Sequence, residues 1–498
     1  MAAVHYARLG LTLAHYDARA HLVVARRILD SLTPGWQQIG AVWLPLPHLL
    51  NMIPVQVDAW YRNGASGIAI SVLSMALAAG SLSAILLRTT GSVVAAVTGA
   101  VLLLVNPNVL YLQSTPMTEP LLFGLSLFGV AATAGWLDSF DSQLPTPHSP
   151  VPTPNSQLET PNSQLSTQEA AALPGLALAA VCMTRYEAWP ITAAIIALSL
   201  IVLLRRRVAF TAAVRRVLTL AAWPGVAIVL FSMNSRWVVG EWVTTGGFFV
   251  PENVDALGHP MVAWRQITDG MRELSGSALI WCGYTGAALL AVDYARSGTR
   301  ASLALLLALA AAAALPMYAY LQGHPFRIRY DLPLVIAAAA IFAGGLTVLP
   351  RLMRLPVAAA ALSMTVLQAH PFDRDAPLVR ESQREAVAME GRRAVTAYLK
   401  EHYDGRTIMM SMGSLGHYMH DLSLAGFAIK DFLHEGNGEI WRFAMLNPDG
   451  HAGWLIVEES AEGGDALHHA AGRDAHWRAG FDVVSQGGGA TLYRAKPQ

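Results

Sequence analysis

The chain has 498 residues, of which 54% are hydrophobic and only 14% are charged, and its mean hydropathy is +0.39. Soluble domains use about 25% charged residues, so this composition excludes a soluble protein and indicates a polytopic membrane protein. The formal net charge is zero, so no basic excess points to a nucleic-acid partner. Both cysteines, Cys182 and Cys282, lie in apolar runs and imply no disulfide framework.

The chain begins with a polar region around His15-Tyr16-Asp17, which opens a predicted first external loop over residues 17–66. The spacing of apolar and charged residues over 20–32 predicts an amphipathic helix that lies along the membrane surface. If Asp17 is extracytoplasmic, a helix must precede it, yet His5, Arg8 and His15 interrupt the residues before it. The sequence therefore favours a truncated first helix over a cleavable signal peptide.

About ten apolar stretches follow. A bilayer core about 30 Å thick needs roughly 20 apolar residues per helix, so these stretches predict about ten transmembrane helices. They cover residues 67–87, 92–105, 120–137, 171–181, 189–204, 217–233, 277–291, 301–320, 332–349 and 355–367. Together they predict an all-α membrane domain over residues 1–369.

Arginines gather on one side of the membrane when the stretches are threaded alternately. They are Arg88, Arg205, Arg206, Arg207, Arg215, Arg216, Arg296, Arg300, Arg351 and Arg354. The positive-inside rule makes that side cytoplasmic. The extracytoplasmic side then receives the first loop, residues 106–119 and 185–187, a long loop over 234–276, residues 322–331, and everything after Gln368.

Two segments depart from the membrane pattern. Residues 139–169 are rich in Pro, Ser, Thr, Gln and Asn and repeat one hexapeptide at 153–158 and 160–165, which predicts a disordered cytoplasmic insertion rather than a coiled coil. From 370 to 498 the composition is that of a soluble domain. Helices over 377–402 and 415–424 and strands over 407–412, 453–458 and 481–494 predict a small extracytoplasmic α/β domain.

Two carboxylates on the extracytoplasmic side are candidates for catalysis. A carboxylate near a membrane is costly to desolvate and therefore indicates a function. Asp17 begins the predicted surface helix, and Glu119 lies where the chain re-enters the membrane. A helix N-cap is the structural alternative for Asp17, and a first-turn carboxylate favoured by the helix dipole is the alternative for Glu119.

Two arginine segments fall on the same side, Arg185-Tyr186-Glu187 and Arg327-Ile328-Arg329-Tyr330-Asp331. The forked guanidinium matches phosphate oxygens, whereas snorkelling beside the interface is the alternative. Five histidines share this side, namely His15, His21, His48, His259 and His324. Without a fixed ligand spacing, surface or hydrogen-bonded histidine is favoured over a metal site for each.

The order and common side of these segments resemble the C-type glycosyltransferases, polytopic enzymes of the GT-C fold that use polyprenyl-phosphate sugars. The protein-mannosyltransferase and aminoarabinose-transferase branch is the most similar. The resemblance spans residues 14–335. It rests on His15-Tyr16-Asp17, the segment from Asn106-Pro107 to Thr118-Glu119, Thr184-Arg185-Tyr186-Glu187 and Arg329-Tyr330-Asp331-Leu332-Pro333.

The resemblance implies an enzyme of the bacterial inner membrane that transfers a sugar from a polyprenyl-phosphate carrier to a hydroxyl on a glycan, lipid or protein acceptor, with inversion. Asp17 would be the general base, Glu119 a second acid that positions substrate or binds metal, and Arg329 a contact to the lipid phosphate. The other substrate-binding candidates are Arg185, Glu187, Arg327, Tyr330, His21 and His48. Asp17 and Glu119 are the candidate ligands of a divalent metal, although Ala18 stands where many members of the family have a second acid.

Two other classes of protein are alternatives to the transferase. A transporter or flippase for a lipid-linked or polar solute would also use membrane-level Arg and Asp. It predicts inverted repeats and broken helices with charges near the midplane, whereas these acids lie at helix ends and no repeat relates the two halves. A membrane scaffold that displays its soluble tail leaves the coincidence of Asp17, Glu119, Arg185 and Arg329 unexplained.

Overall fold

The structure, a computed structural model, describes residues 1–140, 167–242, 253–296, 300–459 and 464–497. Four short helices precede the membrane part. They are α1 (Ala2–Arg8), α2 (Tyr16–Arg27), α3 (Leu46–Asn51) and α4 (Asp58–Asn63). The predicted insertion over residues 139–169 lies outside the described residues except at its edges, where one helix ends at Ser139 and the next begins at Thr167.

Long apolar helices form the membrane part. They are α5 (Ala65–Thr90), α6 (Val93–Val105), α8 (Glu119–Ser139), α9 (Thr167–Cys182), α10 (Ala188–Arg205), α11 (Phe210–Val238), α12 (Pro260–Arg296), α13 (Ala314–Leu321), α14 (Leu332–Leu346) and α15 (Arg351–Ala369), with the short α7 (Pro107–Leu112) between α6 and α8. A 3₁₀ segment, Ala301–Ala313, extends α13 into one span, and another, Ile328–Asp331, leads into α14.

Eight helical segments of the described chain are long and apolar enough to cross a membrane, and two shorter apolar helices, Val93–Val105 and Ala171–Cys182, accompany them. Each of the ten predicted stretches overlaps one of these segments, although the stretch over 332–349 extends beyond the end of α14 at Leu346. The chain is therefore an integral, mostly helical membrane protein, as the sequence predicts.

The predicted loop over residues 234–276 differs from the structure. Helix α11 continues to Val238 and α12 begins at Pro260, so much of this stretch is helical. Gly276 has a φ of 74° and bends α12 at the point where the apolar stretch begins. Polar residues such as Arg265 and Arg272 interrupt the apolar pattern of this stretch, so the sequence does not indicate a membrane helix there.

Helix α14 lies at the centre of the membrane part, with all of its residues buried. Small residues allow α12 to approach it closely, since Gly283 faces Ala338 and Gly286 faces Gly345. Close backbone approach of this kind is typical of helix packing in membranes. Helices α11 and α15 lie at the periphery and leave most of their apolar surface exposed.

The C-terminal part is an α/β domain, as the sequence predicts. Its elements are α16 (Pro377–Gly391), α17 (Arg393–His402), β1 (Ile408–Met410), α18 (Met412–Leu424), β2 (Phe432–Leu433), α19 (Glu439–Leu446), β3 (Trp454–Glu458), α20 (Ala466–Arg473), β4 (Phe481–Gly487) and β5 (Ala490–Ala495). The strand order is β2-β1-β3-β5-β4. Strand β1 runs parallel to β2 and β3, whereas β5 is antiparallel to β3 and β4.

The position of α2 corrects one prediction. The apolar face of the helix is not turned towards lipid, because Leu22 and Val23 join the core of the C-terminal domain beside Leu415 and Met419 of α18. The amphipathic pattern was read correctly, but the apolar face packs against protein rather than lipid. Helix α2 is thus enclosed between the C-terminal domain and the membrane part.

Candidate functional site

A cavity of about 460 Å³ lies where the first loop meets the ends of several membrane helices. Its walls come from α2, the segment before α3, the start of α10, helix α13 and the turn before α14. Seven of the nine predicted site residues line it, namely Asp17, His21, His48, Arg185, Glu187, Arg329 and Tyr330. Residues scattered over more than 300 positions of sequence therefore meet in one space.

Asp17 is held in the first turn of α2. His15 caps the helix, because its Nδ1 accepts the backbone N–H of Asp17 at 3.1 Å. The alternative that Asp17 is the N-cap is therefore wrong, because the N-cap is His15, two residues earlier. The carboxylate accepts a hydrogen bond from Nη1 of Arg329. Burial raises the pKa of Asp17, but the Arg329 guanidinium outweighs it and holds the pKa well below its usual value, so the group is ionised.

Arg185 is saturated by its neighbours. Its Nε and Nη2 both donate to Oε1 of Glu187, at 3.1 and 2.7 Å. Its Nη1 donates to Oγ1 of Thr118 at 3.1 Å and lies 2.9 Å from Oε1 of Glu119. Two carboxylates therefore hold one guanidinium, which orients it but leaves little capacity for a ligand.

Glu119 lies behind the cavity wall rather than on it. It begins α8 and is completely buried, so the first-turn position favoured by the helix dipole is where the structure places it. The distance to Arg185 is that of an ion pair, although the angle is not that of a hydrogen bond. Glu119 therefore acts on the cavity through Arg185.

Arg329 differs from Arg185 because some of its donors are unused. Its Nη1 donates to Asp17, whereas Nε and Nη2 make no hydrogen bond to any residue of the described ranges. The guanidinium carbon lies 5.9 Å from the centre of the Tyr16 ring and 6.0 Å from that of Tyr330. A cation so placed can bind an anionic group in the cavity.

Arg327 does not join the other predicted residues, because it does not line the cavity. Its backbone carbonyl accepts the hydroxyl of Tyr320 at 3.1 Å. Residues two apart in a 3₁₀ turn point in different directions, so Arg327 and Arg329 at the edge of one such turn cannot both face the same space.

The histidines of the cavity form a pair. Nδ1 of His21 lies 3.1 Å from Nε2 of His48, and both side chains are buried. Burial lowers the pKa of His21 to about 3 and that of His48 well below its usual value. Both rings are therefore neutral near pH 7. The sequence predicts both histidines as substrate-binding residues but does not predict their pairing.

Several lining residues were missed from the sequence, among them Trp43, Tyr186, Trp189 and Tyr318. Aromatic residues are common at membrane interfaces, so none of them stood out. Trp43 lies in a segment that contains Pro45 and Pro47. In this segment the Leu46 N–H donates to the carbonyl of Met183 at 2.9 Å. No local sequence pattern predicts that contact.

The predicted metal ligands do not fit a metal site. Asp17 and Glu119 are each engaged by a different arginine, Arg329 and Arg185. Within the part of the chain that the structure describes, no three His, Cys, Asp or Glu side chains gather as metal ligands would. A divalent cation at this position would have to compete with two guanidinium groups.

The C-terminal domain packs against the face of α2 that points away from the cavity. Nη1 of Arg19 donates to Oδ2 of Asp421 at 2.5 Å, and the arginine side chain is almost fully buried. The backbone N–H groups of Ile429 and Lys430 donate to the carboxylate of Asp30, just beyond α2. The helix that carries Asp17 and His21 is therefore fixed by a domain that contributes no residue to the cavity lining.

Comparison with known proteins identifies the fold. No family model matches the chain, and no curated protein matches its sequence. Among solved structures, ArnT from Cupriavidus metallidurans in the apo state matches with a TM-score of 0.54 at 12% identity, covering 100% of this chain and 98% of that one. The same protein bound to undecaprenyl phosphate matches with a TM-score of 0.54 at 13% identity, covering 98% and 95%.

The chain therefore has the GT-C fold, and the resemblance stated from the sequence is confirmed at the level of the fold. An oligosaccharyltransferase of Archaeoglobus fulgidus in the apo form is less similar, with a TM-score of 0.45 and 11% identity over 90% of this chain and 66% of that one. That weaker similarity adds nothing to the assignment. At these identities the likeness concerns the fold alone.

Proposed function

We propose that the protein is a membrane glycosyltransferase that moves a sugar from a polyprenyl-phosphate carrier to an acceptor hydroxyl of a glycan, lipid or protein. The observation that carries the proposal is Arg329, a buried arginine with unused donors that faces a cavity together with Asp17. The shared fold supports the carrier, because one ArnT structure of this fold contains undecaprenyl phosphate.

The charges of the cavity suit a phosphate group. Arg185 is neutralised by Glu119 and Glu187, whereas Asp17 is the one described carboxylate that forms an ion pair with Arg329. A phosphate oxygen would therefore bind Nη2 of Arg329. Apolar walls from α13 and α10, including Leu315 and Pro190, leave room for the first prenyl units. The cavity would fix the carrier head group and reduce the entropic cost of bringing it to the acceptor.

Asp17 is the proposed general base. In the free protein its charge is shared with Arg329, which makes it ionised but a weak base. A phosphate that competes for the same guanidinium reduces that stabilisation and raises the basicity of Asp17. Binding of the donor would thus prepare the base.

The transfer step then balances as follows. The acceptor oxygen bonds to the anomeric carbon while its proton passes to the carboxylate of Asp17. The bond from that carbon to the phosphate oxygen breaks, and the phosphate leaves with the electron pair, stabilised by Arg329. Attack from the face opposite the phosphate inverts the anomeric centre. No step uses a metal ion.

The proposed location is the bacterial inner membrane, with the cavity and the C-terminal domain on the extracytoplasmic side. The arginine side described from the sequence supports this orientation. Arg206 pairs with Asp138 at the end of α8 at 2.9 Å, and Arg205 donates to the carbonyl of Ala295 at the end of α12 at 2.7 Å. These helix ends are remote from the cavity and match a cytoplasmic face.

The experiment that tests the function is lipid mass spectrometry of a deletion strain. We expect one undecaprenyl-phosphate sugar to accumulate in cells that lack the protein, and to return to its normal level when the wild-type gene is restored. A flippase for the same carrier would also cause accumulation, but purified protein in nanodiscs would then release no bare undecaprenyl phosphate from it. Unchanged lipids and no release of bare carrier would contradict the proposal.

A further inference from the structure

One wall of the cavity carries no charge. Trp43, His21 and His48 line it together. The ring centre of Trp43 lies 4.1 Å from that of His21 and 5.8 Å from that of His48, and the Trp43 and His48 rings are inclined by only 16°. The charged groups that line the cavity, in contrast, are Asp17, Arg185, Glu187 and Arg329.

The position of this wall relative to Asp17 is fixed. His21 follows Asp17 by four residues on α2, so both side chains lie on one face of the helix. Trp43 and His48 lie in a segment stiffened by Pro45 and Pro47. The hydrogen bond from Leu46 to Met183 ties that segment to the loop that carries Arg185.

The histidine pair keeps one polar atom available. The 3.1 Å contact between His21 and His48 shares a single proton between two neutral rings. Nε2 of His21 makes no hydrogen bond to another described residue. Depending on the tautomer it can accept or donate. A neutral imidazole also adds no positive charge beside Arg185 and Arg329.

We propose that Trp43, His21 and His48 form a sugar subsite, in which the ring of the carried sugar packs on the indole of Trp43 and a hydroxyl binds Nε2 of His21. This inference rests on the proposed function. A sugar ring presents C–H bonds on one face and hydroxyls at its edge, so an aromatic face beside an uncharged ring nitrogen matches both. The phosphate would then lie on Arg329.

The test distinguishes the contribution of the sugar to the binding affinity from that of the carrier lipid. The full-length protein in nanodiscs is titrated with bare undecaprenyl phosphate and with undecaprenyl phosphate carrying glucose, mannose, arabinose or aminoarabinose. We expect wild-type protein to bind at least one sugar-bearing lipid more tightly than the bare carrier. In Trp43→Ala, that gain falls by about tenfold, whereas the affinity for bare carrier changes by less than about twofold.

Two further variants keep the result interpretable. Trp43→Phe preserves an aromatic face and restores most of the gain. Trp60→Ala removes an exposed tryptophan of the same loop that does not line the cavity and leaves both affinities unchanged. Retained binding of bare carrier shows that each variant is folded.

The outcomes distinguish this inference from the function on which it rests. If wild-type protein binds the bare carrier as tightly as every sugar-bearing lipid, or if Trp43→Ala retains the full gain, the sugar subsite is overturned while the transferase proposal stands. If wild-type protein binds neither form of the carrier, the proposed function itself fails.

Discussion

The two faces of α2 follow opposite rules. On the cavity face, Asp17 accepts a hydrogen bond from Arg329, whose other donors make no hydrogen bond to a described residue. Nε2 of His21 on the same face also has no hydrogen-bond partner among the described residues. On the opposite face, Arg19 is paired with Asp421, and Leu22 is buried in the core of the C-terminal domain. Binding requires polar atoms that face an open cavity, whereas anchoring requires side chains that are buried against another domain. One helix of 12 residues meets both requirements.

The largest effect is expected on the cavity face. Asp17→Asn removes the proposed base and should lower kcat for sugar transfer by about 10³-fold, within the range for general bases. Turnover of the carrier lipid by purified protein measures it. Because the amide is nearly isosteric, the thermal midpoint and the binding of bare carrier serve as folding controls. A fully active, folded Asp17→Asn protein would remove Asp17 from catalysis.

A substitution on the opposite face of α2 should lower the stability of the fold. Arg19→Ala leaves the carboxylate of Asp421 largely buried without its cation, which costs about 3 kcal/mol. Scanning fluorimetry in detergent should show a clear fall in Tm. Arg442→Ala is the matched control, because that arginine pairs with Glu439 on the exposed surface of α19 and should change stability by less than about 0.5 kcal/mol.

The double variant Arg19→Ala with Asp421→Asn sharpens this result. It removes both charges and should recover part of the lost Tm, because no unpaired ion remains buried. A double variant that is no more stable than Arg19→Ala would show that the ion pair does not couple the domain to α2.

The pH dependence should show the smallest effect. The pKa of Asp17 is lowered in the folded protein, mainly because Arg329 outweighs burial. The pair therefore stabilises the fold above the unfolded carboxyl pKa of about 3.9, and this stabilisation is lost as the pH falls through the lowered value. In Arg329→Gln, burial is opposed only by the weaker effects of His15 and His21, so the acid limb of the kcat profile should move up by at least about one pH unit.

The matched control for this pH shift is Arg327→Gln, which alters an arginine two positions away that does not line the cavity. Its profile should coincide with that of the wild type. An unmoved acid limb in Arg329→Gln would mean that Asp17 is not the titrating group.

The sequence predicts what depends on local pattern. Ten apolar stretches predicted the membrane helices, because a bilayer demands a minimum apolar length that composition reveals. Alternation and turn residues likewise predicted the α/β domain. The carboxylates and arginines of the cavity were found because charge is rare in such a chain.

What the sequence could not predict depends on contacts between distant segments. The apolar face of α2 predicts a partner but does not say whether lipid or α18 supplies it. Arg327 and Arg329 look equivalent in the sequence, and only the 3₁₀ turn separates their directions. Trp43 and His48 become a wall of the cavity through the backbone contact between Leu46 and Met183, which no local spacing encodes.

The most direct test of the central claim is the affinity of the protein in nanodiscs for bare undecaprenyl phosphate, measured by native mass spectrometry for wild type, Arg329→Ala and Arg327→Ala. The account predicts that Arg329→Ala binds at least about tenfold more weakly, since hydrogen bonds to a charged group contribute about 1.5 to 3 kcal/mol. Arg327→Ala should match the wild type. Equal affinity in all three proteins would contradict the account.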